Sequence, residues 1–492
     1  MQLVNEQQQK AKINTPDDYW KERQEDFQLA RDLDKGRKAM IKAEVKYLPK
    51  EPKEKPKAYE VRLHRTDFYP GFSECLDDLT GAVFKRDIML GEDATEEQKK
   101  FLENVDLEGN NLSVFAKSLF RNAEKYSIAY FLVEFPNVQK GINLAQERKM
   151  GARPYWREVE APDIIFMASR VVNGERRLVD LRIQEMVTIP DGFGLKKTQQ
   201  IRRYVQKFDA QGQPERVDWE VYKKKPDKDE YEEIPTGGTG TLNPVKRIPL
   251  VPVYTKRDGF MRGKWRLEHC AWLNVMHWQS SSDQRNILRV VRCPILAHAG
   301  FYKDTDKDIT ISPNTHQGTT RPEAKMWYVE HSGQAIEAGA NDLERLKGEM
   351  QQTGKKMAIK KTGSITATEA GINTAQSQSE LQSDSKSLKD ALENGYALNA
   401  EWVGSKDPAP SIIVNTDFGI LEADSGNNKL LLESTQAGKL STRTYLQELK
   451  RRNLLEETLD VHEELEQIKI EQALNWLGNS AGEDEEGEGG EE

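Results

Sequence analysis

The pattern of hydrophobic and polar positions divides the chain into a helical opening, a strand-rich middle, a long helical centre and a helical close. Thr15 before Pro16, Asp17 and Asp18 combines an N-cap, an N1 proline and acids at the positive end of a dipole, which predicts a helix over residues 16 to about 43. Tyr47–Tyr59, YLPKEPKEKPKAY, reads as a Pro/Lys/Glu linker with nothing to pack. Helical spacing predicts amphipathic helices over Asp67–Phe84 and Asn111–Tyr126, the second running into an apolar strand at Ser127–Pro136. From Ala152 to Pro235 the runs PYWREVEAPDIIF, RLVDLRIQEMVTI, QQIRRYVQKF and VDWEVYKKKP are spaced by turns such as Asn173-Gly174 and Asp191-Gly192. They predict a meander or small mixed sheet. Gly237–Thr241 reads as flexible, and KRIPLVPVY as a short extended piece.

The centre runs from Gly263 to Lys361. Neither Pro nor Gly interrupts Lys264–Cys293, and Pro294 stops the run. A helix of ~30 residues would span roughly 45 Å. Helical spacing places Trp265, Trp272, Val275 and Met276 on one side and Arg285, Arg289 and Arg292 on another. A β-like insert follows, PILAHAGFY, DITIS and KMWYVE, then a helix from Ala340 to about Gln352. That helix leads into a glycine- and lysine-bearing loop, Thr353–Gly371, with Lys355, Lys356, Lys360 and Lys361. Beyond it a helix is predicted over about Gln378–Trp402 and a strand over Pro410–Phe418. Gly438 stops a further helix, Ser441 caps the next, and a last one covers Thr458–Leu477.

Composition narrows the class. A chain of 492 residues holds two to four domains. With 37% hydrophobic and 31% charged residues it suits an extended subunit, or one that buries faces against neighbours. The net charge is −9, yet Ala481–Glu492 carries seven acids and no base, so the remainder is nearly neutral, unlike a dedicated high-affinity nucleic-acid binder. That acidic tail reads as disordered. Cys75, Cys270 and Cys293 form no CxxC pair, which fits a reducing compartment and neither a zinc site nor a disulfide framework. The first residues have no apolar h-region and no apolar run approaches ~20 residues, so neither secretion by a cleavable signal nor a membrane span is expected.

Catalytic patterns are sparse. AGKLST, Ala437–Thr442, lacks the upstream glycine of a phosphate-cradling loop, and neither H-E-x-x-H nor G-x-S-x-G occurs. His269 and His277 lie two helical turns apart but have no Cys or acid at ligand spacing. Asp163, Asp191 and Asp417 could form a carboxylate set, though no spacing requires it. No enzyme, metal or cofactor is expected. The arginine stripe has a bland reading, pairing with nearby acids, beside a functional one, facing phosphates or a neighbour's acids. The lysine cluster between Gly354 and Gly363 is either a solvated loop or a mobile contact to a polyanion that reads no bases.

Five stretches in this order resemble the portal proteins of tailed bacteriophages, the head-to-tail connectors at one capsid vertex. They are EAPDIIF (Glu160–Phe166), IPLVPVY (Ile248–Tyr254), the helix–insert–helix–loop unit, TATEAGINTAQSQSEL (Thr366–Leu381) and LESTQAGKLSTRTYLQELKRRNLL (Leu432–Leu455). The resemblance implies an α+β portal fold. Residues 1–262 and 377–426 would be the wing and 263–293 the first stem helix. The clip would be 294–339, the second stem helix 340–352, the tunnel loop 353–376 and the crown 427–477, before the tail at 478–492. It further implies a homododecameric ring passing double-stranded DNA, with no catalytic residue. Lys355, Lys356, Lys360 and Lys361 would touch the DNA backbone, Arg285, Arg289 and Arg292 would face the channel, and Trp265, Trp272 and Met276 would pack the stem. The implied partners are the large terminase subunit, the head–tail adaptor, the major capsid protein and a scaffolding protein, with no membrane. The implied location is the portal vertex of the virion, and the host cytoplasm during assembly. The alternatives are a tail or baseplate subunit without a DNA channel, and a nucleic-acid-processing enzyme.

Overall fold

The computed structural model describes residues 12–136, 151–225, 228, 230–234, 237–292, 295–300, 322–329, 334–358, 367–416, 425–451, 455 and 459–482. It has two compact units, 1–418 and 419–492.

The first unit opens with helices α1 (Asp18–Lys35) and α2 (Arg37–Ala43). One helix was expected here. The break falls at Gly36, whose φ of 75° no ordinary helical residue adopts, and the cap is Asp17, which accepts from the Trp20 N–H, rather than Thr15. The supposed linker is also packed: Tyr47, Leu48 and Tyr59 are buried, and α3 (Pro56–Arg65) begins inside it. Its polar composition hid a buried ion pair, Arg62–Glu54 at 2.9 Å, which lets the segment pack despite its charges. Helices α4 (Gly71–Val83), α5 (Glu96–Glu103) and α6 (Leu112–Tyr126) follow, with the short strand β1 (Met89–Leu90) after α4. Asn111 caps α6 through the Val114 N–H, and Ser127 ends it in the left-handed conformation.

Two sheets are built from the middle of the chain. Strands β2 (Ile128–Glu134) and β3 (Tyr155–Val159) belong to a three-stranded antiparallel sheet that a later strand, Leu250–Tyr254, completes with β2 at its centre. β2 is buried along nearly its whole length, as its unbroken apolar run requires. The larger antiparallel sheet takes β4 (Ile164–Val172), β5 (Glu175–Asp191), β6 (Gly194–Phe208), β7 (Pro214–Lys224) and β8 (Tyr231–Glu233) in that order. The single meander expected from Ala152 is therefore wrong at its first strand, which pairs with β2 instead. The Gly237–Thr241 stretch is structured too: β9 (Thr239–Leu242) pairs with β7, and Gly240 lies so close to the Trp219 ring that a Cβ would stand 2.7 Å from it.

The strand Leu250–Tyr254 is β10, and β11 (Arg257–Gly259) and β12 (Arg262–Gly263) form a tight ribbon leading into α7 (Glu268–Val291). The antiparallel pair β13 (Ile295–Ala299) and β14 (Lys325–Val329) follows, then α8 (Gln334–Ala358) and the 37-residue α9 (Ala367–Val403). The DITIS run lies outside the described residues. The second central helix was expected over Ala340–Gln352 because Gly339, Gly348 and Gly354 flank or interrupt it. It instead runs through all three, since Leu346 and Met350 are buried and that packing outweighs about 1 kcal/mol per glycine. Similarly α9 starts about eleven residues before the expected Gln378. The expected loop 353–376 is thus helical at both ends, and only 359–366 lies outside the described residues. The strand β15 (Ile412–Ile413) returns to pair with β1.

The second unit holds α10 (Ser425–Gln436), α11 (Thr442–Arg451) and α12 (Val461–Gly482). Gly438, at φ 69°, follows the end of α10, and Ser441 caps α11 through the Thr444 N–H, as expected. The last helix begins beyond the expected Thr458, because Asp460 supplies the cap by accepting from the His462 N–H. The acidic tail from Glu483 lies outside the described residues.

Candidate functional site

The helix–hairpin–helix unit of α7, β13–β14 and α8 is the part of the chain whose surface is least explained by its own core. α7 starts at Glu268, so Trp265 precedes it. Trp265 is buried, donates its indole N–H to the Lys125 carbonyl at 2.9 Å and meets Phe72 edge-on. It is a core residue of the body and no part of the helical face. Val275 is buried as well, whereas Trp272 is 51% and Met276 48% exposed. The single apolar side read from the spacing is therefore two sides. One faces the body through Leu273, Val275 and Trp278, and the other presents Trp272 and Met276 to solvent.

Polar side chains fix how α7 sits. Asn274, fully buried, accepts from the Phe72 N–H at 2.9 Å and donates to the Tyr69 carbonyl at 2.9 Å. It caps α4 from outside, since Pro70 at the N-cap offers no side-chain acceptor. Gln279 donates to the Tyr47 carbonyl, and Ser282 accepts from Arg62. Between α7 and α8, Gln284 donates to the Ile336 carbonyl at 2.9 Å and Ser280 to the Asp342 carboxylate at 3.0 Å. Gly339 allows this approach: a Cβ there would stand 2.1 Å from the Gln284 amide oxygen. Sequence reading missed this polar seam, although the run of Gln279, Ser280, Ser282 and Gln284 within one long helix was its available signal.

At the root of the unit Arg266 forms ion pairs with Glu124 of α6 and, at 2.7 Å, with Asp384 of α9. All three side chains are buried. One guanidinium faces two carboxylates, and burial pushes the Asp384 carboxyl up to about 7 against the pull of Arg266. Cys75 and Cys270, distant in sequence, are buried together as free thiols. The hydrogen bond that the Cys75 S–H donates to Cys270, and then burial, push the Cys75 thiol well up, so it stays protonated and inert.

The remaining candidates separate. Arg285 forms an exposed ion pair with Asp67 at 3.1 Å, the bland outcome for this residue, while Arg289 and Arg292 are exposed near the end of α7. Lys355 and Lys356 belong to the last turn of α8, and Lys360 and Lys361 lie outside the described residues. His269 is exposed, and His277 stacks at 5.4 Å on Tyr69, with burial pushing its pKa down. Asp163 is held by Arg31 at 3.1 Å, Asp191 ends β5 at a hairpin turn, and Asp417 lies outside the described residues. Among the described residues no group of three His, Cys, Asp or Glu could hold a metal, and no helix is long and apolar enough to cross a membrane.

Residues 266–403 match a family model described as a domain of unknown function, DUF4055. The matched region starts at Arg266 and ends with α9. No curated protein matches the chain. Similar solved structures include the neck of an empty GTA particle computed with C6 symmetry. That neck is 13% identical at a TM-score of 0.39, over 76% of this chain and 88% of that one. The neck of a native GTA particle computed with C12 symmetry is 14% identical at a TM-score of 0.39, over 80% and 94%. The virion of a native gene transfer agent particle is 12% identical at 0.37, over 79% and 91%.

Proposed function

We propose that this chain is a portal-type structural subunit that assembles into a dodecameric ring at one capsid vertex, through which double-stranded DNA is packaged and ejected. The observation that carries the reading is the exposed Trp272–Met276 face on α7. A tryptophan half in water on an otherwise anchored helix is a surface that a neighbouring copy would cover. The order of elements supports it: a strand-rich body, two long helices around a β-hairpin, and a separate helical unit at the C-terminus. In this reading α7 and α8 are the stem, β13–β14 belongs to the clip, the 353–376 region forms the tunnel loop and the second unit is the crown. The clip docks the large terminase and later the head–tail adaptor. The wing meets the major capsid protein, and a scaffolding protein assists assembly. Arg289 and Arg292 face the channel with Arg285. Lys355, Lys356, Lys360 and Lys361 touch passing phosphates transiently, which suits a nearly neutral body that must let DNA slide. The protein acts without cofactor or catalytic residue, in the virion after assembly in the host cytoplasm.

Class averages of the purified full chain in negative stain test the ring. Twelvefold rings with a duplex-wide hole support it, and a compact small oligomer without a channel refutes it. Replacing the four lysines together by Gln is expected to leave rings intact and to lower packaged or retained DNA several-fold, read by nuclease protection. Wild-type packaging by that variant removes the loop from the mechanism.

A further inference from the structure

The β5–β6 hairpin runs past its own sheet. β4 covers β5 only as far as Ile183, and β7 covers β6 only as far as Gln200. From Met186–Asp191 paired with Gly194–Gln199, the ribbon has no outer strand among the described residues. It projects by roughly 20 Å at about 3.3 Å per residue. A two-stranded ribbon in water is marginal by itself, yet this one ends in apolar side chains. Phe193, in the turn opened by Gly192 at φ 60°, is 115% exposed and the adjoining Leu195 77%, while Met186, 62% exposed, lies at the base of the ribbon. Its edges carry Pro190, Asp191, Lys196 and Lys197, which oppose lateral strand addition. The contact surface is therefore the tip.

The same chain holds a receptor of matching chemistry. Between α5, the start of β3 and the end of α9 lies a hollow of about 310 Å³, floored by Phe101, Pro154, Tyr396, Ala400 and Val403. About 150 Å³ holds a benzene ring, as measured in an engineered cavity of an unrelated protein. Val403 is 54% exposed, and the buried Tyr396 hydroxyl has no hydrogen-bond partner. Glu97, Asp407, Lys100 and Arg153 also line it, acids that can pair with Lys196 and Lys197 of the arm and bases that can pair with its Asp191.

We infer that the β5–β6 arm of one copy inserts Phe193 into the Phe101–Tyr396–Val403 hollow of the next copy, a head-to-tail contact repeated around the assembly. This deepens the ring reading and rests on it. A head-to-tail contact joins different patches, so it propagates from copy to copy rather than stopping at a pair, and forms a ring when its rotation closes.

Cysteine pairing between copies tests it. Phe193→Cys and Val403→Cys, both exposed positions whose replacement leaves the core untouched, are prepared separately, mixed during assembly and oxidised. The expected result is a covalent dimer of one of each in the mixture only. Phe193→Glu is expected to raise the concentration at which rings dissociate at least tenfold with unchanged Tm. Rings without the mixed adduct overturn the arm contact and leave the ring reading standing. An adduct between two Phe193→Cys copies, or only with another virion protein, also overturns it. Absence of both rings and adduct overturns both readings.

Discussion

At the scale of single residues, Arg266 with Glu124 and Asp384 decides more than any residue singled out by motif. Two carboxylates for one guanidinium leave a surplus negative charge in a place water does not reach, and Asp384 is the member that burial pushes up to about 7. A folded pKa above the unfolded value of 3.8 means that the folded state favours the protonated form. The contribution to stability is complete below about pH 4 and is lost as pH rises through 7. Asp384→Asn is expected to remove that slope, so that the variant gains on the wild type between pH 4 and 7, by at most about 4 kcal/mol. Urea unfolding at stepped pH measures it, and parallel slopes for the two proteins would refute it. Nothing in the sequence marks these three residues as partners, because 142 positions separate Arg266 from Glu124 and 118 separate it from Asp384. Thr15, by contrast, had the right chemistry for a cap and lost to Asp17, which lies nearer the first turn. The caps at Asp17, Ser441 and Asp460 were legible to within two residues, the Thr95 capping box of α5 went unread, and buried pairs were not legible at all.

At the scale of elements, the type of most long segments could be read and their ends could not. α6 and β2 came out as their periodicity requires. The glycine-bearing stretch 334–358 was underread because helix propensity is a local quantity, whereas burial of Leu346 and Met350 is not. Gly395 in α9 gives the same competition a sign. An added Cβ would stand 2.6 Å from the Trp156 ring and 2.9 Å from that of Phe131, both fully buried. Alanine gains about 1 kcal/mol of helix propensity. Rigid rings cannot retreat, and overpacking costs typically 1–3 kcal/mol. Gly395→Ala is therefore expected to lower stability, by up to about 2 kcal/mol. A stabilised variant in thermal unfolding would mean that α9 lifts from the sheet more readily than its packing implies.

At the scale of the whole molecule, the exposed tryptophan on α7 is where the proposed assembly meets the fold. Trp272→Glu is expected to fold with unchanged helicity, because Trp272 takes no part in the body's core, yet to remain unassembled in size-exclusion chromatography with light scattering. A variant that assembles normally would move the interface off this face. The placing of Trp272 and Met276 together on one long helix was legible from their spacing. Their separation from Trp265 and Val275 depended on where the helix starts and which way it faces, and only the packed body sets either.

The Arg266 anchor also has a mechanical side. The chain leaves the body beside Arg266, travels out along α7 and back along α8, and is tied down again where α9 passes Asp384. A pull on the outer hairpin therefore meets first the seam of Gln284 with Ile336 and Ser280 with Asp342, then the Ser282–Arg62 tie to the body, and reaches the shared knot of charge last. Substitutions in the paired strands Ile295–Ala299 and Lys325–Val329 are thus insulated from the root of the unit by every tie along α7.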